Sequence, residues 1–436
     1  MHLVDLTLKR EITKVEGSAT LDVEVKKGKV TRCQFGISEY KRFYTQAMRG
    51  KAAKALPSLL ARICGTCSNA HLTCSIEACE DALGIVPSEQ SVLMKHLTMY
   101  GLNIRDHALH LYLFALPDMF GKDAFFDFDE NDPAQHQILH DAFAIKAAGN
   151  YLSIIIAGRS VHGMNPMVGG FMKVPTEAET EEAINKLESV RPAVLRTVKL
   201  FEESDFSFDR QTSFMALVAK PFSYLNGHII SDAGDFIREK DYRDHLEHVI
   251  IPYSHASGYK HKGKSYMVGA LARINLAKDT LHPKTKETLK QTLELFPSTN
   301  IYHNNLAQAV EILHCLDQAV DILQNTKFTK EPLVEPTKKE GTGIGVIEAP
   351  RGTLYHKVTI NTAGNVVEGD IIVPTGQNQI NIEQDMARLI ETMLPENPTK
   401  DSLQLELEKL IRAYDPCMSC ASHFLKLKVK GATLAV

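Results

Sequence analysis

Two Cys-x-x-Cys pairs stand near opposite ends of the 436-residue chain, Cys64-Gly65-Thr66-Cys67 and Cys417-Met418-Ser419-Cys420. Two residues between cysteines put both sulfurs on one side of a turn, within reach of one metal ion. Where such a pair opens a helix, the free backbone N–H groups also favour thiolate over thiol. Spacing alone leaves a structural zinc site with four cysteine ligands open, since thiolates suit zinc. A thioredoxin-like redox pair fits less well, because neither pair follows a strand in a βαβ context. Small zinc modules keep their knuckles close in sequence, whereas most of the chain separates these pairs. Arg62, His71, Asp415, Pro416 and His423 flank them, and a structural site needs none of these.

With 44% hydrophobic residues the chain has material for a large core, and its length suits roughly two to four domains or one composite unit. A formal net charge of -4, with no basic stripe or acidic tail, points away from nucleic acid or a membrane surface as partner. The longest apolar stretches, Tyr151 to Ala157 and Ala108 to Leu116, fall short of the ~18 residues that span a bilayer. Met1 to Asp5 shows no basic region leading into an apolar one, so no secretory signal is visible. The default is therefore a cytoplasmic, reducing setting. There the eight cysteines read as metal ligands, catalytic thiols or small buried hydrophobes rather than a disulfide framework.

Periodicity predicts a mainly helical chain with small β-sheets, an α+β class. Strands are expected at Thr20–Val25 and Val30–Ile37, joined by a glycine-bearing turn. A helical pattern runs from Phe43 to about Gly84, interrupted by the first cysteine pair. Ser91–Leu116 is apolar nearly all round and reads as a long buried helix. Further helices are expected at about Ala134–Ala157, from the Thr176/Glu179 capping box toward Glu203, at Pro283–Leu295 and at Asn304–Gln324. Lys327–Gly345, rich in Lys, Pro, Gly and Thr, reads as a linker. A second hairpin follows at Leu354–Asn361 and Val366–Val373, then helices at Ile382–Leu394 and Ser402–Tyr414. The small-residue tract Gly163–Gly170 matches no nucleotide fingerprint and reads as close backbone packing.

The residues around the cysteines carry more than their spacing. Arg62-Ile63-Cys64-Gly65-Thr66-Cys67 with His71, and Asp415-Pro416-Cys417-Met418-Ser419-Cys420 with His423, closely resemble the paired signatures of nickel–iron hydrogenase large subunits. Lys14-Val15-Glu16-Gly17 is similar to that family's opening element, and Glu348-Ala349-Pro350-Arg351-Gly352 to its Ala-Pro-Arg-Gly element. Asp106-His107-Ala108-Leu109-His110, Gly158–His162 and Gly269–Asn275 follow in the expected order. The wording is closest to the cytoplasmic, cofactor-coupled branch.

This resemblance implies a fold of long buried helices with hairpins at both ends around a metal site. It implies nickel held by Cys64, Cys67, Cys417 and Cys420, the first and third terminal, the second and fourth bridging to an iron that carries carbon monoxide and cyanide. Dihydrogen is apolar and a weak acid, so it must be polarised between a metal and a base. Cys417 would be that base and Glu16 would pass the proton outward. Arg351 would hang over the open metal position, paired with Asp106 and Asp415. Pro374 and Thr375 would face the cyanide, and His71 would hydrogen-bond a bridging sulfur. Electrons would leave through an iron–sulfur small subunit, possible further electron-transfer subunits lying beyond, since no spare cysteine cluster has iron–sulfur spacing.

Three departures stand out. Ser18 occupies the place of a histidine. Thr45 stands where the family has a glutamate that helps hold a hard cation, typically magnesium, near His423, and threonine is a poor substitute. The chain also continues past His423 to Val436. The resemblance implies one composite domain over 1–423 and a 424–436 extension cut by a maturation protease, while the alternating Leu and Lys of the tail equally suit a retained strand. Glu16 as a turn carboxylate, Arg351 as a loop cation and Asp106–His110 as an intrahelical pair remain the plain readings. Cys33, Cys74, Cys79 and Cys315 read as buried hydrophobes. A hydrogen sensor with the same centre, a zinc protein and a quinone-reactive relative on the same scaffold are the alternatives; that relative lacks these four cysteine ligands.

Overall fold

The computed structural model describes residues 5–40 and 42–422. His423, the expected ligand after the second pair, and the tail 424–436 lie outside the described residues. The chain begins with an antiparallel sheet of β1 (Leu6–Glu11), β2 (Ala19–Lys26) and β3 (Lys29–Ile37). The two expected strands are β2 and β3, and β1 is an addition that pairs Leu8 with Val23. Alternation along β2 sends Leu21, Val23 and Val25 into the core. Lys27 and Gly28, at φ +50° and +68°, make the tight turn that matches the twist of paired strands.

Helix α1 (Ser68–Leu83) starts at Cys67 and stops at Gly84, which adopts φ +63°. The long buried helix is α2 (Glu89–Leu109), capped by the Ser88 side chain, and it passes into a π turn at His110–Ala115. Helix α3 (Pro133–Ala157) is capped by Asp132, and α4 (Glu177–Glu202) carries the expected Thr176/Glu179 capping box. Helices α2 and α3 meet where side chains are missing. A Cβ on Gly101 would sit 2.7 Å from Ser153 Oγ, and one on Gly149 would sit 2.8 Å from Arg105 N. That closeness fixes the stretch of α2 carrying Arg105 and Asp106.

Residues 204–268 had no assigned elements in the sequence reading. They form short strands β4 (Ser213–Val218), β5 (His228–Ser231), β6 (Phe236–Arg238), β7 (Glu247–Ile250), β8 (Ser257–Lys260) and β9 (Tyr266–Met267). Their order is β9-β4-β5-β6, with β7 and β8 a separate pair. Strands of two to six residues are too short to show a period. Helix α5 (Ala270–Ala277) follows. The helix expected over Pro283–Leu295 is two pieces, Pro283–Thr288 and Lys290–Leu293, because the Leu289 backbone leaves the helical region. Helix α6 (His303–Asn325) is buried on nearly every face and packs against α2, α4 and α5.

A three-stranded antiparallel sheet follows: β10 (Gly341–Ala349), β11 (Gly352–Ile360) and β12 (Val366–Ile372). Here the linker expectation is corrected, because Gly341–Gly345 is the first half of β10. Gly341, Gly343 and Gly345 lie on one face of the strand. On that face the α1 backbone at Ala82, Ala78 and Cys74 occupies the space a Cβ would take. The glycines that suggested a loop serve helix-on-strand contact instead. Residues 326–340 do lack regular structure, yet Val334 N and Thr337 N bond to Gly169 O and Leu83 O at 2.9 and 3.1 Å.

The C-terminal helices are α7 (Pro374–Met393), α8 (Lys400–Ala413) and the short α9 (Met418–Ala421). Helix α7 begins at Pro374 rather than near Ile382. Its first turns bury Gln377, Asn378 and Gln379, whose amides donate to Thr353 O, Val268 O and Phe35 O. Buried amides break the apolar period that would have marked this start.

Gly343→Val is expected to force α1 off β10 and lower stability by about 1–3 kcal/mol, the usual range for overpacking. The check is the midpoint of urea unfolding; an unchanged midpoint would mean that the close approach is not needed.

Candidate metal centre

The fold brings both ends of the chain together. The Sγ atoms of Cys64, Cys67, Cys417 and Cys420 all lie within 4.8 Å of one another and are buried. Cys64 and Cys417 are 3.3 Å apart, while Cys67–Cys420 and Cys417–Cys420 are each 3.0 Å apart. All four are free thiols. Cys67 is the N-cap of α1 and Cys417 that of α9, so each pair has one sulfur at a helix start.

Three arginines, Arg105 and Arg273 buried and Arg42 half-buried, hold the loops by their carbonyl oxygens. Arg42 Nη2 donates to Ile63 O and to Ser419 O, both at 2.8 Å, so one guanidinium ties the first pair to the second. Arg105 Nη2 donates to Thr66 O at 2.6 Å. Arg273 donates to Ala349 O and Pro350 O at 3.0 and 2.8 Å, and is itself held by Glu311 and Glu348. Sequence reasoning assigned no role to any of the three. A buried cation must end on carboxylates or carbonyls, but which ones becomes visible only in the fold.

Arg351 sits in the two-residue turn joining β10 to β11, where Ala349 pairs with Gly352. It is 4% exposed, so it is no surface loop cation. Its Nη1 is 2.6 Å from Asp106 Oδ2 and its Nη2 is 2.9 Å from Asp415 Oδ1. Although burial opposes its charge, those two carboxylates hold the guanidinium well above its ordinary range. Asp106 and His110 do not pair with each other: Asp106 receives Arg351, and His110 faces Gln308 and the Arg412 carbonyl.

Glu16 lies alongside the second pair in a parallel bridge with Cys417. Its Oε2 is 3.0 Å from Cys417 Sγ, and it accepts from Ser419 N at 3.0 Å and Ser419 Oγ at 2.5 Å. Burial, and then the Cys64 charge, raise its carboxyl above the ordinary value. The approach to Glu16 is anchored by Arg412 Nε, which donates to Thr13 O at 3.0 Å, and by Lys14 on Asp118 at 2.6 Å. His71 Nε2 is 3.5 Å from Cys420 Sγ. Pro374 and Thr375 line one cavity with Cys67, Cys417, Cys420 and Arg351. Thr375 Oγ1 accepts from Cys417 N at 2.9 Å, which leaves its own proton to donate into that cavity.

The donor set fits a soft transition metal. Cys64 is held well below the usual thiol range by the neighbouring Cys417 thiol, while burial pushes Cys417 and Cys420 well above it. Four sulfurs this close become thiolates together only around a cation. The cavity wall offers donors, Thr375 and Arg351, beside apolar Ala349, Leu354 and Pro374. Arg351 Nη2, close to Asp415 but misaligned, has no hydrogen-bond acceptor among the described residues. Those donors suit small ligands with an accepting end. Among the described residues, the four cysteines are the one group of His, Cys, Asp or Glu placed to share an ion. Ser18 turns to Ser38 at 2.9 Å, and Thr45 lies in the short helical turn Tyr44–Ala47. Of the other cysteines, Cys74, Cys79 and Cys315 are buried as expected, and Cys33 is half-buried.

Arg42→Met removes both ties between the pairs, each a charge-assisted bond of about 1.5–3 kcal/mol. The expected result is purified protein with sharply reduced nickel per chain by elemental analysis. Full nickel content would show that the loops converge without this residue.

Comparison with known proteins agrees with this geometry. The sequence model described as nickel-dependent hydrogenase matches residues 42–135 and 235–423. Sulfhydrogenase 1 subunit alpha of Pyrococcus furiosus is 31% identical over 95% of this chain and 97% of its own length. The NAD-reducing hydrogenase HoxS subunit beta of Cupriavidus necator is 28% identical over 95% of this chain and 94% of its own. Among solved structures, an NAD+-reducing [NiFe]-hydrogenase in the H2-reduced state superposes with a TM-score of 0.88 at 22% identity, covering 97% of this chain and 100% of that one. At that identity the likeness speaks for the fold. No described helix is long and apolar enough to cross a membrane.

Proposed function

The chain belongs to the nickel-dependent hydrogenases, as the catalytic subunit that activates dihydrogen, and from that premise we propose how its residues divide the work. Cys64, Cys67, Cys417 and Cys420 would hold the nickel, and Cys67 and Cys420 would also serve an iron carrying carbon monoxide and cyanide. When bound, this pair of metals supplies the Lewis acidity and the electron-accepting capacity that heterolysis of dihydrogen needs. The rest is done by the chain. One dihydrogen gives two protons and two electrons, and the protons need a path out of a buried site.

Cys417 Sγ is the base, and Glu16 Oε2 at 3.0 Å takes the proton from it. A carboxyl raised by burial can carry a proton, and Ser419 keeps it aimed at the sulfur. Arg351 places a fixed positive charge at the cavity wall, where Thr375 and Pro374 would face the cyanide. His71, with its Nε2 3.5 Å from Cys420 Sγ, would temper the charge of that sulfur by donating to it. The observation that carries the reading is the convergence of four thiols with a carboxylate on one side and a guanidinium on the other.

Electrons leave through a separate iron–sulfur small subunit; among the described residues Cys33, Cys74, Cys79 and Cys315 are not gathered to share an ion. The relatives are themselves named as subunits of hydrogenases, and further electron-transfer subunits and a cytoplasmic location belong to the same proposal. Residues 1–423 act as one composite domain, and a maturation protease removes 424–436. A hard cation beside His423 would find Thr45 where a carboxylate would serve it, so magnesium is expected to bind weakly.

The infrared spectrum of the complex is expected to contain metal-bound carbon monoxide and cyanide bands; their absence would defeat the assignment of the iron. Glu16→Gln is expected to keep those bands while slowing hydrogen–deuterium exchange by about a hundred-fold. Exchange at the unmodified rate would remove Glu16 from the relay.

A further inference from the structure

A cavity of about 700 Å³ opens among the short strands of residues 204–268 and shares no lining residue with the metal centre. That volume lies within the ~300–1,000 Å³ typical of small-molecule sites. Three segments frame it: Arg210–Ser213 leading into β4, the turn at Asp232 and Asp235 between β5 and β6, and Lys260–Tyr266 from the end of β8 into β9. Gln384 of α7 completes the wall.

The third segment is a preformed lysine hairpin. Lys262 and Gly263 take φ +49° and +73°, the left-handed pair that a two-residue turn needs. Across it His261 and Lys264 exchange backbone hydrogen bonds at 2.9 and 3.0 Å. The buried His261 ring pins the turn, lying 3.0 Å from His245 O and 2.9 Å from Asp235 Oδ2. The charges around the cavity can then be matched. Lys262 is paired with Asp235 and Arg210 with Asp385, while Asp232 accepts from Ser213 Oγ at 2.7 Å. Glu247, opposite Lys260 across β7 and β8, accepts from Gly263 N at 2.8 Å. Lys260 and Lys264 are left over. Both line the cavity, and among the described residues neither ammonium has a carboxylate within ion-pair distance.

We propose that this cavity binds a phosphate-bearing small molecule of nucleotide size, its phosphate on Lys260 and Lys264 and its hydroxyl groups toward Asp232. Two ammonium groups at a rigid turn suit phosphate oxygens, and a carboxylate suits hydroxyl donors. The site also reaches the second cysteine pair. Arg210 donates to Asp385 and, from Nη2, to Asn381 Oδ1 at 2.5 Å, both acceptors being buried on α7. Asn381 Nδ2 donates to Tyr414 OH at 2.7 Å, and Tyr414 OH donates to Asp385. Tyr414 immediately precedes Asp415, the partner of Arg351. A phosphate beside Arg210 competes with Asp385 for the guanidinium, so occupancy loosens the tie on Tyr414 and alters the surroundings of the metal centre. That last step rests on the hydrogen-activation reading; the binding itself does not.

Calorimetric titration of the purified complex with ADP tests the binding. ADP is expected to bind, and adenosine, which lacks the phosphates, to bind at least about ten-fold more weakly. Lys260→Gln combined with Lys264→Gln is expected to weaken ADP by about ten- to a hundred-fold, the loss of charge-assisted bonds. Lys262→Gln, whose charge Asp235 already answers, should change the affinity by less than about three-fold. No ADP binding at millimolar concentration, adenosine binding as tightly as ADP, or full affinity in the double variant overturns the site. For the coupling, saturating ADP is expected to shift the cyanide bands, and Arg210→Met to abolish that response while ADP still binds. Bands unmoved by bound ADP, or moved equally in Arg210→Met, overturn the coupling. A complex that binds ADP but has no diatomic bands would defeat the hydrogenase chemistry and leave the site standing.

Discussion

Four buried sulfur atoms, two from each end of the chain, lie 3.0 to 3.3 Å from their neighbours without any covalent bond between them. Nothing about thiols alone favours that crowding, since burial resists their ionisation and sulfur gains little from sulfur. The arrangement is held from outside, by Arg42 bridging Ile63 O and Ser419 O and by helices that begin at Cys67 and Cys417. A cation at the centre then gains four ligands already gathered, with less chain entropy to lose on binding.

The same device recurs around the centre. Arg105 holds the first cysteine loop, Arg273 the turn before Arg351, and Arg412 the segment before Glu16, each by a backbone carbonyl. Arg273 and Arg412 are themselves fixed by buried carboxylates. Buried ion pairs of this kind add little net stability. What they supply here is position: a guanidinium makes several directed bonds from a rigid plane, so a loop tied to it has one geometry. The active groups occupy turns and helix ends, and these surroundings keep them from wandering.

Much of this was legible in the sequence because the chemistry sits in short, local patterns. The cysteine pairs, Glu16, Arg351, Asp106 and Asp415 could be named from their neighbours, and the fold brings them together. The helices with uninterrupted apolar periods, α2, α3 and α6, were also readable. What escaped depended on distant partners. The glycines of β10 read as a linker because their purpose is the backbone of α1, far away in sequence. The start of α7 was hidden because its buried face is made of amides. Arg42, Arg273 and Gln308 were given no role in the sequence, because their roles consist entirely of contacts across the fold.

The account stands or falls on what the four sulfurs hold, and X-ray absorption at the nickel edge of the purified, matured complex addresses that most directly. The expected spectrum has nickel surrounded by sulfur from Cys64, Cys67, Cys417 and Cys420, with an iron atom as its nearest metal neighbour. Nickel bound mainly through nitrogen or oxygen, or a site filled by zinc with no nickel at all, would contradict it.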